Sequence, residues 1–159
     1  IANIEYKGLE GDFETALNGD GFNMGLLEII EKFDGTTAAN KANLYAGIAY
    51  AQQEQYEEAI KYLSKYEGED NIVAAKAKHT LGNCYSQTGD QKKALELILE
   101  AATLANNIAV TPACLRDAAA MYEAQGNTAE ALKLYNRIKD EFPASPVANE
   151  AEIKINAAK

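Results

Sequence analysis

The side chains in this 159-residue sequence best suited to chemistry are few: a single histidine, His79, and two cysteines, Cys84 and Cys114. A nucleophilic thiol needs a base within hydrogen-bond reach. If residues 75–88 are helical, the five residues from His79 to Cys84 advance about 500°, leaving the two side chains roughly 140° apart. They do not share a face, so packing rather than a Cys–His dyad is their expected role. The stretch Asn18-Gly19-Asp20-Gly21 offers oxygen ligands. A calcium loop of the EF-hand kind wants an acidic or amide residue two places after Asp20, however, and Phe22 stands there. A turn between two helices is expected instead. Glu57-Glu58 and the group Glu67, Glu69 and Asp70 read as solvated helix ends and loops, not as a carboxylate pair converging in a cleft. No phosphate-cradling glycine loop, Ser-His-Asp set or zinc spacing occurs. The sequence therefore predicts no catalytic residues, no metal, no cofactor and no small-molecule substrate.

Composition narrows the partners. Apolar residues make up 47% and charged residues 25%, as in globular domains, and 159 residues suffice for one domain that buries roughly 70% of its unfolded surface. The net charge of −9 and pI near 4.7, with no basic stripe, argue against nucleic acid, whose affinity comes from Lys and Arg on phosphates. The same balance disfavours an anionic membrane surface. No apolar run approaches the roughly 20 residues that cross a bilayer. The chain begins at Ile1 rather than Met, which suggests a trimmed or processed form whose leader lies outside this sequence.

What must position the remaining residues is a repeat. GIAYAQQEQYEEAI (47–60), GNCYSQTGDQKKAL (82–95) and AAMYEAQGNTAEAL (119–132) share one skeleton: a small residue, Tyr three places on, a polar turn, then Ala nine places after the Tyr. Tyr50, Tyr85 and Tyr122 step together with Ala59, Ala94 and Ala131, and a recurrence of that length is a structural period. In the second copy Ala75, Lys78, Leu81, Gly82 and Tyr85 recur at three- and four-residue steps, as one helix face requires. Gly89 suits the left-handed residue that ends a helix, and Asp90 suits the N-cap of the next, whose apolar face is Ala94, Leu95, Ile98 and Ala101. Each copy is thus a helical hairpin. In the third, Thr111 and Pro112 read as N-cap and first-turn proline, Gly126 as the stop, and Asn127 with Glu130 as a capping box. The first copy has Glu54-Gln55 where the others have glycine, so its bend is the least well specified; it keeps Leu44, Gly47, Tyr50, Ala59 and Leu63. Upstream, residues 23–33 read as a helix with Leu26, Leu27, Ile30 and Phe33 on one side. A helix over roughly 5–18 uses Tyr6, Leu9, Phe13, Ala16 and Leu17, weakened by Gly8 and Gly11. Ser145-Pro146 begins a last helix with the stripe Val147, Ala151, Ile155 and Ala158. Ile153 lies about 200° from Ala151 and points off that stripe.

These marks resemble the tetratricopeptide-repeat (TPR) family, whose motif wants Leu-Gly/Ala, Tyr, Ala, a large residue and a late Pro at fixed places in about 34 residues. Leu81-Gly82, Tyr85, Ala94 and Ile98 match in the second copy, and Leu115, Ala118-Ala119, Tyr122, Ala131, Tyr135 and Pro143 in the third. Departures are the lack of Trp, Lys78 and Asn43 at the first large position, and extra residues between repeats. The resemblance implies an all-α, right-handed superhelical solenoid of antiparallel helix pairs with a capping helix. The chain divides as a single TPR domain, 1–159: a degenerate N-terminal hairpin (1–39), repeats at 40–74, 75–111 and 112–145, and the cap (146–159). In such an array the first helices run parallel, and Cys84 and Cys114, seven motif positions apart, are offset near 10 Å along the axis, too far for a disulfide. Free thiols are expected.

The family's inward-pointing positions fall here on Lys41, Leu44, Ile48, Ala51 and Gln52; on Lys76, His79, Asn83, Ser86 and Gln87; and on Ala113, Arg116, Ala120, Glu123 and Ala124. Lys41, Lys76, Arg116 and His79 concentrate positive potential on an acidic chain, suited to a peptide carboxylate or acidic segment. Lys76, Asn83 and Arg116 only partly echo the family's chaperone-tail clamp. The implied function is a non-catalytic scaffold binding another protein or peptide segment on its concave face, with self-association through the cap helix and Ile153 as the alternative. The segment FPASPVANEAEIKI and the acidic composition resemble membrane-anchored envelope TPR proteins of Gram-negative bacteria. That resemblance implies a periplasmic or membrane-anchored setting, with envelope protein assembly or translocation as its role and an anchor removed before Ile1.

Overall fold

The computed structural model describes residues 11–68 and 70–158, and among them the regular elements are helices. They form two compact units, the first ending at Gly68 and the second following it. Of the helix expected over roughly 5–18, the part up to residue 10, with Tyr6, Gly8 and Leu9, lies outside the described residues, as does Glu69.

The first unit contains α1 (Phe13–Asn18), α2 (Leu26–Lys32), α3 (Thr37–Gln52) and α4 (Tyr56–Leu63). Asp12 and Thr36 cap α1 and α3 by accepting from Thr15 N and Ala39 N, which satisfies N–H groups that have no partner inside the helix. Between α1 and α2 the Asn18-Gly19-Asp20-Gly21 stretch makes the expected turn. Asp20 Oδ1 accepts from Phe22 N and Asn23 N, and Oδ2 accepts from Asn23 Nδ2. Those bonds hold its carboxyl down to about 2, so the oxygens that suggested a cation already serve the loop. Ala16, Leu17, Leu26, Ile29, Ala42, Ala46 and Ala49 form the core, with Phe13, Leu27, Tyr45, Tyr50 and Tyr62 packed on it. Asn40 clasps the segment after α4: its Nδ2 donates to Glu67 O (2.7 Å) and its Oδ1 accepts from Glu67 N (2.9 Å).

The second unit contains α5 (Asn71–Gln87), α6 (Gln91–Ala105), α7 (Thr111–Ala124), α8 (Thr128–Glu141) and α9 (Ala148–Ala157). Helix α5 begins four residues before the expected position because Asp70 caps it, accepting from Ile72 N and Val73 N. The core runs through Ala75, Ile98, Cys114, Leu115, Ala118, Tyr135 and Ile138, and α9 adds Ala151 and Ile155.

All three repeat bends close alike. The N–H groups of Gln55, Asp90 and Asn127 each donate to the carbonyl of the Tyr five residues earlier, Tyr50, Tyr85 and Tyr122, at 2.9 Å. The residue between is left-handed in every case: Gly89 (φ 95), Gly126 (φ 74) and, lacking glycine, Glu54 (φ 60). This is the bond pattern that satisfies the last carbonyls of a helix. The motif's small residue serves a second purpose, close helix approach. A Cβ on Gly47 would stand 2.5 Å from Leu63 Cγ, and one on Gly82 would stand 2.7 Å from Ile98 Cγ1.

Three local expectations need correction. Thr111 is the first residue of α7 rather than its N-cap. Its buried hydroxyl donates to Ala102 O and accepts from Asn107 N, tying the loop to the end of α6, while Asn107 Oδ1 receives Ala109 N and Val110 N. The last helix starts at Ala148, not at Ser145-Pro146, because Ser145 Oγ is engaged in a tight turn with Val147 N. Asn127 does cap α8 through Glu130 N, but the Glu130 carboxylate pairs with Lys133 rather than reaching back to complete a capping box.

Candidate functional site

The residues proposed for the inner wall lie on the first helix of each pair. On α3, Lys41 and Gln52 are exposed and Ile48 and Ala51 half-buried, while Leu44 is only 6% exposed and belongs to the core. On α5, Lys76, Asn83 and Gln87 are exposed and His79 and Ser86 half-buried; on α7, Ala113, Arg116 and Glu123 are half-buried and Ala120 and Ala124 exposed. Helical spacing puts each set on one stripe. Leu44 is thus withdrawn from any ligand, and Ser86 helps close its own hairpin, donating to Gln91 Oε1 while its carbonyl receives Gln91 Nε2.

The structure brings together one group that the motif positions did not mark. Asp117 stands between His79 of α5 and Arg116 of α7: His79 Nε2 lies 2.7 Å from Asp117 Oδ2, and Arg116 Nε and Nη2 donate to Oδ1 at 2.9 and 2.7 Å. Burial pushes the imidazole toward neutrality, but the hydrogen bonds to Asp117 and Cys114, with the charge of Asp117, outweigh it and carry the ring up to about 9. Burial likewise opposes ionisation of Asp117, and the bonds from His79 and Arg116 override it, leaving its carboxyl below the usual range. His79 is therefore an imidazolium at neutral pH and Nε2 is the donor. Asp117 carries no apolar periodicity and no motif signal. Nothing in the spacing of residues along the chain marks it, since its partner His79 lies 38 residues away.

Glu123 is also engaged. It accepts from Tyr135 OH (3.2 Å) and from Lys154 Nζ (2.7 Å), so that α9 is pinned across α7 and α8. The Tyr135 hydroxyl, buried and beside this carboxylate, is pushed up to about 12. Of the polar wall residues in this unit, Lys76, Asn83 and Gln87 remain on the open surface, with His79 and Arg116 partly accessible beside them.

The thiols offer little chemistry. Both cysteines are free and buried, and burial drives Cys84 up to about 11, far from a reactive thiolate. The histidine's thiol neighbour is Cys114 of the next repeat rather than Cys84. Cys114 is fully buried, which closes it to a substrate although His79 and Asp117 stand beyond it. Among the described residues no three His, Cys, Asp or Glu side chains gather as a metal site.

Helical hairpins with this bend, this small-residue contact and this stripe define a tandem helical-repeat protein. Tetratricopeptide-repeat family models match residues 28–71, 75–108 and 115–145, which together make up more than half of the sequence, and the chain belongs to that family. The crystal structure of MamA superposes with a TM-score of 0.76 at 19% identity, covering 98% of this chain and 81% of that one. That likeness is one of fold. Among curated proteins, none matches the chain significantly.

Proposed function

We propose that this chain is a non-catalytic scaffold that holds a polypeptide segment of another protein on its first-helix faces. Each unit would offer its own contacts: Lys41, Ile48 and Gln52 in the first, and Lys76, His79, Asn83, Gln87 and Arg116 in the second. TPR proteins are as a rule interaction scaffolds, which supports the coarse reading. The observation that carries the finer one is the partly open His79–Arg116 pair beside exposed Lys76, a cationic patch on a chain of net charge −9. Asp117 holds His79 and Arg116 in place, so those two side chains lose little entropy when a segment binds. Affinity capture from a native extract tests it: Lys76→Glu with Arg116→Glu is expected to lose partners that the wild type retains. Equal recovery by both would remove the wall from the account.

A second reading concerns α9. Ile153 is 69% exposed on that terminal helix, as a self-association contact requires. Sedimentation over a range of concentrations checks it, because a mass that rises with concentration and is restored to monomer by Ile153→Asp is the expected result. The resemblance of FPASPVANEAEIKI to envelope TPR proteins supports a role in envelope protein assembly or translocation. No helix among the described residues is long and apolar enough to cross a membrane, so in this reading any anchoring lies elsewhere, and fractionation of the native cell is the check.

A further inference from the structure

Asp117 lies one residue off the stripe that the motif assigns to the wall, yet it engages both of the wall's half-buried cations and thereby joins two successive first helices, α5 and α7. The cluster is neither sealed nor loose: the side chains of His79, Asp117 and Arg116 are 19%, 24% and 36% exposed. Within the cluster two cations share one anion, with Glu150 of α9 also within electrostatic reach of Arg116, and exposed Lys76 sits one turn before His79 on the same face. We propose that Asp117 is a positioning residue of the peptide-binding wall, holding the His79 imidazolium and the Arg116 guanidinium side by side across two repeats and so committing this face to acidic partner segments throughout the neutral pH range. The inference rests on the scaffold reading above.

The physical reason is the histidine's position. A largely buried imidazole with no carboxylate beside it gives up its proton, because the low-dielectric surroundings penalise the charged form. Bonded to Asp117, the ring keeps its proton well above neutrality. The groups facing it from α7 are Asp117 and Cys114, with Arg116 on the far side of the carboxylate. Helix α6, also packed on α5, carries Lys92, Lys93, Glu96 and Glu100; Glu100 is held by Lys78 and Glu96 by Lys93, while the shift of His79 comes from burial, Asp117 and Cys114. Asp117 thus does two things an uncharged residue could not. It keeps His79 ionised, and it fixes the direction of the Arg116 fork.

Two measurements on the full chain test this. His79 is the sole histidine, so its ring protons can be followed by NMR through a pH titration. The wild type is expected to titrate well above 7, Asp117→Asn at or below the ordinary histidine value, and Asp117→Glu near the wild type. In parallel, fluorescence anisotropy with a labelled hexa-aspartate peptide, and hexalysine as control, is read at about pH 5.5 and about pH 8, on either side of the free histidine value. Wild-type affinity for hexa-aspartate is expected to change by less than about twofold, and that of Asp117→Asn to fall about fivefold or more on going to the higher pH, as loss of one nearby cation implies. A purely structural role would weaken binding equally at both values. A flat pH profile in Asp117→Asn, or an unshifted His79 titration, overturns the positioning role while leaving the wall in place. Hexa-aspartate bound no better than hexalysine by the wild type overturns the commitment to acidic partners. Binding that Lys76→Glu leaves unchanged removes the wall reading itself. If Asp117→Asn fails to fold, Asp117→Ser, which likewise removes the carboxylate, carries the same comparison, with Asp117→Glu as the variant that keeps it.

Discussion

The bends at Gly89 and Gly126 and the bend at Glu54 make the same 2.9 Å hydrogen bond to a Tyr carbonyl, but from different starting points. Glycine occupies the left-handed region without strain; Glu54 occupies it at a cost of about 1 kcal/mol. The contrast extends through the two units. In the second, Asp90 and Asn127 cap by side chain the helices that follow the bends, although α7 and α9 have no such cap, and Tyr135, Ile98, Leu115 and Ile138 are all essentially fully buried. In the first, α4 has no side-chain cap and Asn43 Oδ1 is buried without a hydrogen-bond partner. The first hairpin adds aromatic packing to the shared bond and the Gly47–Leu63 approach. Tyr50 stacks on Tyr62 with centroids 5.4 Å apart, and Lys61 and Lys65 approach the Tyr62 ring. A repeat fold thus keeps one backbone pattern with glycine at the turn in one place and with added side-chain stacking in another.

Substitutions can break or sharpen that contrast. The largest effect is expected from Tyr135→Ala, which empties a buried aromatic site in the second unit and frees Glu123 and Lys154; a loss of about 3–5 kcal/mol should appear in urea unfolding. Next comes pH. Because the folded value of His79 is raised to about 9 from an ordinary 6.5, the cluster's contribution is complete below about 6.5 and is lost as pH climbs through about 9. The depressed Asp117 carboxyl works in the opposite direction, its contribution being lost on acidification. Thermal melts should therefore decline on the alkaline side in the wild type and lose that particular decline in His79→Gln. Third, Asn43→Leu restores the motif's large apolar residue and removes an unpaired buried oxygen, for a gain of roughly 1–2 kcal/mol by chemical denaturation. The smallest effect is Glu54→Gly, with a gain of about 1 kcal/mol, whereas Gly89→Glu should lose a similar amount. Equal responses at residues 54 and 89 in the same direction would erase the distinction between the bends.

Most of the fold was legible because it is written in periods. Small residues at 47 and 82 face the second helix of their own pair, and Ala59, Ala94 and Ala131 recur where helices touch; such constraints act on residue type and show at fixed spacing. The helix starts near Thr111 and Ser145 were not legible, since a hydroxyl there has two competing uses. Only the neighbouring loop decided that Thr111 should bond Ala102 and Asn107. The wall stripe was legible as geometry, but its chemistry was not. Leu44 falls on an inward position and is nonetheless buried, and Glu123 is held by Tyr135 and Lys154 from two other helices.

By itself the sequence determined the helical hairpins and their bends, because these follow from spacing within or between neighbouring turns of helix. The contact of His79 with Asp117, 38 residues apart, was decided by tertiary structure alone. Whether a histidine in a helix is charged depends on which side chains are brought beside it and how far water is excluded, and neither is a property of the residues adjacent to it in the chain.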